Sequence, residues 1–177
     1  GPSYGKPGLF VYLLSYMEQQ DIFNAIDLNE YTHYHQTYRY TVIPNYICPS
    51  WPFDQIVYES TTGSNGIGSL RTYMGVSGRL PLLQGETPEI VNCSSRGNMP
   101  VNGIFSWARV CPISEITDGL SRTLAFGEFV HIDYENGRYA DPPGSVRAWL
   151  SSSTDSASFS MKTVVHHINT KLDRTAD

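Results

Sequence analysis

The chain is poor in charge. Asp, Glu, Lys and Arg make up 16% of its 177 residues, the formal net charge is −5, and the 12 basic residues are scattered along the sequence. Holding a nucleic-acid backbone takes clustered Lys and Arg, so the absence of a basic stripe excludes a nucleic-acid partner. Long apolar runs are missing as well. Nothing approaches the roughly 20 consecutive apolar residues of a membrane helix, and no basic start leads into an apolar segment. Cysteine is scarce: Cys48, Cys93 and Cys111 are an odd number and lack the close spacing of a zinc site or a Cys-x-x-Cys redox centre. An oxidising compartment would allow one disulfide, and Cys93 with Cys111 closes the shorter loop, while buried free thiols fit the spacing equally well.

What the chain has is 15 Gly, 11 Pro and 12 Tyr among 40% hydrophobic residues. Tyrosine favours half-buried strand surfaces, and Gly and Pro punctuate the chain with turns, which together favour a loop-rich α+β or mostly β protein. The length suits one domain over residues 1–177.

The most organised stretch is 116–128. Asp118-Gly119 supplies a tight turn, since Gly accepts positive φ and the Asp side chain can bond to the backbone two residues on. After it the sequence predicts a buried strand. Leu124 and Phe126 share one face with Arg122 and Glu128, while Thr123, Ala125 and Gly127 form a small face under which a helix could pack.

Residues 9–27 have helical spacing, but the apolar stripe changes side. Phe10, Leu13, Leu14 and Met17 keep the i, i+3, i+4, i+7 rhythm, whereas Ile22, Phe23 and Ile26 fall almost opposite. Either a straight helix is buried on both sides, or it breaks near Gln19-Gln20 with Asp21 capping a second short helix.

Residues 29–40 read as an exposed, Tyr-rich strand or loop. His33 and His35 would share a strand face, which suits a metal, but the sequence places no third ligand beside them. Pro49 and Pro52 fix an ordered corner at 48–52. Residues 59–69 form a polar loop whose Gly63, Gly66 and Gly68 are in the wrong order for a dinucleotide fingerprint. Strands are expected at 70–76, 103–107 and 145–150, an irregular insertion at 78–100, and an exposed low-complexity stretch at 151–160. Asp133, Glu135 and Asp141 in a loop at 129–143 offer oxygens to Ca²⁺, but not at the spacing of a defined calcium motif. No nucleophile with an adjacent base is discernible. Gly75-Val76-Ser77-Gly78 fails the Gly-x-Ser-x-Gly elbow, and Asp118 with Glu128 flanks a turn and strand that have their own structural reason to exist.

Four segments resemble, in order, a large family of bacterial prepilin-like proteins abundant in planctomycetes, whose members begin with a type IV prepilin methylation helix. They are Leu13-Leu14-Ser15-Tyr16-Met17-Glu18-Gln19-Gln20, Ile47-Cys48-Pro49-Ser50, Thr72-Tyr73-Met74-Gly75-Val76-Ser77-Gly78, and the signature Thr117, Asp118, Gly119, Ser121, Thr123, Gly127 and Glu128. Trp51 stands where the family usually has Asp. The resemblance implies an α+β pilin-like head: an antiparallel sheet, a short N-terminal helix and long irregular loops. It implies a structural subunit of a type IV pilin-like or type II secretion pseudopilus-like assembly, with no catalytic residue, no resident metal and other pilin-like subunits as partners. The main N-terminal membrane helix, which would anchor the head to the inner membrane on the periplasmic or extracellular side, is expected to precede this chain, and a terminal strand to follow it. Gly1-Pro2-Ser3 reads as a tag remnant. The alternative is an extracytoplasmic carbohydrate- or surface-binding β module that would use Tyr31, Tyr34 and Trp51.

Overall fold

The apolar rhythm of residues 9–17 winds as expected and then stops short. The structure, a computed structural model, describes residues 8–28, 37–58, 68–79, 90–93, 97–106, 109–128, 132–133, 138–139, 148–150 and 161–164. Helix α1 (Leu9–Leu13) runs into a 3-10 turn over Leu14–Tyr16, and α2 (Gln20–Ala25) begins after a break. The break lies at Glu18, whose φ of 59 is the left-handed value usually taken by Gly at a helix end. The Leu14 carbonyl receives the amides of both Met17 and Gln19 there, so the end of the first helix is closed by its own backbone. Asp21 does not cap α2. Gln19 holds the cap position, without a side-chain bond, and Asp21 sits in the first turn, where its charge favours the positive end of the helix. Of the two readings of the switching stripe, the broken helix is the one adopted.

The reason is visible in the packing. Phe10, Val11, Leu14 and Ile26 lie in one core with Ile43, Tyr46, Trp149 and Leu150, and Met17, Ile22 and Phe23 pack against it. The break at Glu18 lets both apolar stripes face the same interior. Each fully buried large side chain contributes about 2 kcal/mol, which outweighs the ~1 kcal/mol of one left-handed residue.

The strands are short. They are β1 (Ile56–Val57), β2 (Gly68–Ser69), β3 (Tyr73–Arg79), β4 (Ile90–Cys93), β5 (Gly97–Pro100), β6 (Phe105–Ser106), β7 (Arg109–Val110), β8 (Phe126–Glu128), β9 (Ile132–Asp133), β10 (Arg138–Tyr139) and β11 (Met161–Val164). The principal sheet has the order β11-β3-β8, and four two-stranded ribbons accompany it. The fold is α+β. The principal sheet is mixed where an antiparallel one is expected: β8 runs antiparallel to β3, but β11 runs parallel to it. The insertion at 78–100 also departs from expectation, because β4 and β5 pair there as an antiparallel hairpin. The polar loop at 59–69 ends earlier than expected, with Gly68 and Ser69 buried in β2. Ala148 makes a single bridge to Leu70, so the core position expected at 145–150 is occupied without a strand among the described residues.

The stretch after the Asp118-Gly119 turn differs most. It passes through a 3-10 turn over Leu120–Arg122, and β8 is a half-buried edge strand instead of a buried one. Its small face is not where the helix packs. A Cβ added to Gly127 would meet nothing within 4 Å, whereas one added to Gly75 would lie 2.9 Å from Leu9 Cδ2 and 3.0 Å from Phe105 Cδ2. The glycine over which α1 crosses the sheet is therefore Gly75, and the bulky face of β8 turns inward: Phe126 lies 4.9 Å from the Phe105 ring and 6.3 Å from Phe10.

Gly75→Ala should destabilise the protein by about 1–3 kcal/mol in urea unfolding, because two well-packed side chains must move, while Gly127→Ala should stay within about 0.5 kcal/mol of wild type. Equal effects would contradict the position of the helix over β3.

Candidate functional site

Three of the four segments that carry the family resemblance each bring a residue to one place. Pro44–Tyr46 form a 3-10 turn that delivers the chain to a β-turn at Cys48-Pro49-Ser50-Trp51, closed by the Trp51 amide on the Cys48 carbonyl at 2.8 Å. Pro49 and Ser50 are exposed at the tip and Cys48 is half-buried at the base. The Cys48 amide donates to Thr72 Oγ1 at 2.7 Å, and the Thr72 amide donates to the Tyr46 carbonyl at 2.8 Å. One residue on, Tyr73 sits opposite Glu128 across the β3–β8 ladder. Burial first, then the neighbouring Cys48 side chain and the Glu128 carboxylate, hold the Tyr73 phenol above its ordinary pKa. Cys48, Thr72, Tyr73 and Glu128 thus form one polar junction that ties the turn to the sheet.

Beneath it lies a group that sequence reasoning missed. Arg71 is fully buried. Its Nη1 donates to the carbonyls of Ala148 at 2.6 Å and Trp149 at 3.4 Å, its Nε lies 3.4 Å from Met74 Sδ, and its guanidinium carbon stands 4.7 Å over the Phe10 ring. A buried charge is costly unless its donors are used, and the flat fork of Arg satisfies backbone carbonyls and an aromatic face together. Tyr46 completes the arrangement: its ring meets Phe10 edge-on at 5.0 Å and its hydroxyl donates to the Phe10 carbonyl. Burial pushes the Tyr46 phenol well above its usual range, opposed in part by Arg71. Trp149 is held by its amide on the Ser69 carbonyl at 3.0 Å and its indole N–H on the Thr41 carbonyl at 2.8 Å. The signal in the sequence was a charged residue inside an otherwise weakly charged strand stretch, Leu70-Arg71-Thr72-Tyr73-Met74.

The other expected site residues are dispersed. Thr117, Asp118 and Ser121 are exposed, and Gly119 takes the anticipated positive φ of 85. The side chain that closes this turn is Thr123, whose hydroxyl donates to the Gly119 carbonyl at 3.0 Å, and not Asp118. Trp51 is half-buried against Ile47 and Leu70, so it serves as a partial cover for a small apolar cluster. Cys111 carries a free thiol whose Sγ lies 3.8 Å from its neighbour's carbonyl, that of Pro112. The side chain of Cys93 lies outside the described residues, as do Tyr31, His33, Tyr34, His35, Glu135 and Asp141. Among the described residues no three His, Cys, Asp or Glu side chains come together as a metal site, and no helix is long and apolar enough to cross a membrane.

A family model described as "Protein of unknown function (DUF1559)" matches residues 2–176. The chain belongs to this family. No curated protein matches it, and no solved structure does. In this DUF1559 protein Thr72 and the buried Arg71 link segments far apart in sequence.

Arg71→Met should lower stability by about 2–4 kcal/mol, because the Ala148 and Trp149 carbonyls lose their donor in a dry interior, and Arg71→Lys should fall between the two. Urea denaturation of the three proteins measures this. The raised pKa of Tyr46 also fixes the sign of an alkaline effect. Its contribution is whole below the ordinary value of 10.0 and is lost as pH rises above it, because only the unfolded chain ionises readily there. Tyr46→Phe should therefore flatten the decline of stability above that pH by about one proton, and an unchanged slope would show that the phenol is not buried as described.

Proposed function

We propose that this protein is the head of a pilin-like subunit, of the kind that builds type IV pili or type II secretion pseudopili in the bacterial cell envelope. The head stands on the periplasmic or extracellular side, an apolar N-terminal helix anchors it to the inner membrane, and other pilin-like subunits are its partners. It acts by assembly and surface contact. The observation that supports this reading most is the convergence of the resembling segments. Leu14, Cys48, Thr72, Tyr73 and Glu128 come from four stretches and lie in or beside one helix-on-sheet core, while Pro49, Ser50, Thr117, Asp118 and Ser121 of the same segments are exposed. A short helix crossing a sheet at Gly75 is also the arrangement such a head requires.

A second reading has an observation of its own. Tyr40 and Tyr58 stack at 5.5 Å with their planes 22° apart while both remain exposed, and Phe53 is exposed beside the half-buried Trp51 at 5.3 Å. Exposed, preorganised rings are what a carbohydrate-binding surface offers.

Fractionation of the native cells followed by N-terminal analysis of the gene product separates the two. The pilin-like reading expects the protein in the inner-membrane or fibre fraction, with an N-methylated apolar residue at its mature N-terminus. A soluble product without that processing, whose binding to a glycan array is lost in Tyr58→Ala, would replace it with the second.

A further inference from the structure

Where the chain leaving β5 crosses the end of β3, two hydrogen bonds bracket Gly78. The Gly103 amide donates to the Ser77 carbonyl at 2.9 Å, and the Arg79 amide donates to Asn102 Oδ1 at 3.1 Å. No carbon fits between the two backbones. A Cβ added to Gly103 would lie 2.5 Å from the Gly78 nitrogen, 2.5 Å from the Ser77 carbonyl carbon and 2.6 Å from the Val76 carbonyl oxygen, and one added to Gly78 would strike Asn102 Oδ1. Gly78 also holds a φ of 139, a value that suits glycine alone.

Asn102 and Gly103 are at the same time a reactive pair. In Asn-Gly the glycine nitrogen can attack the amide carbon of the asparagine side chain, because no glycine side chain shields it and the backbone turns readily into the required geometry. The new C–N bond closes a succinimide ring, the bond to the side-chain nitrogen breaks, and that nitrogen leaves as ammonia with the proton of the glycine amide. Water then opens the ring at one of its two carbonyls, giving aspartate or isoaspartate. Asn102 is exposed and its amide nitrogen has no partner among the described residues, so the leaving group and the water both have access. The crossing itself opposes the reaction. Gly103 must give up the proton it shares with Ser77, and Asn102 must release Arg79 before its Cγ can reach the Gly103 nitrogen.

We propose that Asn102 is a latent modification site: the closed crossing preserves its amide, and each opening exposes it to succinimide formation. The two products differ in consequence. Aspartate keeps an acceptor oxygen where Oδ1 stands, so the crossing closes again. Isoaspartate carries the chain through its side-chain carbonyl and adds a methylene to the backbone before Gly103, and a crossing without room for one carbon does not re-form over the lengthened chain. β5 ends at Pro100, just before the pair, and Gly78 and Arg79 are also the residues on which β11 pairs after its change of register. Isoaspartate at 102 therefore loosens both the β4–β5 hairpin and this end of the principal sheet, and the modification is a one-way record of how often the crossing has opened. The proposal needs only this pair and its partners, and it holds whether or not the head belongs to a pilin-like subunit.

Peptide mapping by mass spectrometry, with isoaspartate detected by enzymatic carboxyl methylation, tests this on the purified protein held at mildly alkaline pH. The map separates Asn102 from Asn65 and Asn136, which also precede glycine. Conversion at Asn102 in the folded wild type should be slower than in the same protein unfolded in urea on the order of tenfold or more, since two hydrogen bonds must first be given up. Gly78→Ala, whose added carbon displaces Asn102 Oδ1, should convert on the order of tenfold faster than the folded wild type, with circular dichroism establishing that the variant is folded. If it is not, the comparison of folded and unfolded wild type and the melting of the products decide. Asn102→Asp should melt with the wild type, and the isolated isoaspartate form should melt below it. Equal conversion in the folded and unfolded protein, an Asn102 that stays an amide in urea, a folded Gly78→Ala that converts at the wild-type rate, or an isoaspartate form that melts with the wild type overturns the proposal.

Discussion

The structure depends on how one buried guanidinium is accommodated. Arg71 is fully enclosed, and its N–H groups reach the Ala148 and Trp149 carbonyls while its flat face lies on Phe10, contacts that offset the cost of burying the charge. Those contacts belong to three separate parts of the chain: the first helix, the central strand, and a segment more than seventy residues further on. Short strands and broken helices have little stability of their own. A polar anchor that requires all three parts to be in place at once supplies the missing cooperativity and specifies how they meet.

Around that anchor the aromatic residues act as a group. Tyr46 touches Phe10 by ring edge and by hydroxyl, Trp149 lies 6.2 Å from Tyr46, and Phe126 closes the far side against Phe10 and Phe105. Each buried polar tip has a backbone acceptor, which is the condition for placing Tyr and Trp in an interior. The Cys48 turn is then fastened from outside through Thr72. Of the segments that resemble the prepilin-like family, Leu14, Thr72 and Met74 are buried in this interior, while Pro49, Ser50, Thr117, Asp118 and Ser121 lie at the surface.

How much of this was legible beforehand follows from the range of the interactions. The turn at Gly119, the helical start at Leu9 and the corner at Cys48-Pro49 depend on neighbours within a few residues, and local spacing revealed them. The break at Glu18 was visible as a change of stripe, but choosing it over a straight helix required knowing that both stripes share one core. Gly127 and Gly75 are equally small in sequence, and only the crossing of α1 distinguishes them. The parallel strand β11 and the partners of Arg71 come from distant parts of the chain, so no local pattern announces them. Loop length favoured Cys93 with Cys111 without settling it against free thiols, and the Cys93 side chain lies outside the described residues.

Native-state hydrogen exchange tests the central role of the buried arginine most directly. The amides of Cys48, Thr72 and Trp149 each bond to a different neighbour of this core, at Thr72, Tyr46 and Ser69. If Arg71 unites these parts into one cooperative unit, all three amides exchange only through global unfolding, with the same free energy and the same denaturant dependence. Exchange of the Trp149 amide at a clearly lower free energy than that of Thr72, with a small denaturant dependence, would contradict the account, because it would mean that the 148–150 segment opens while the rest of the core stays closed.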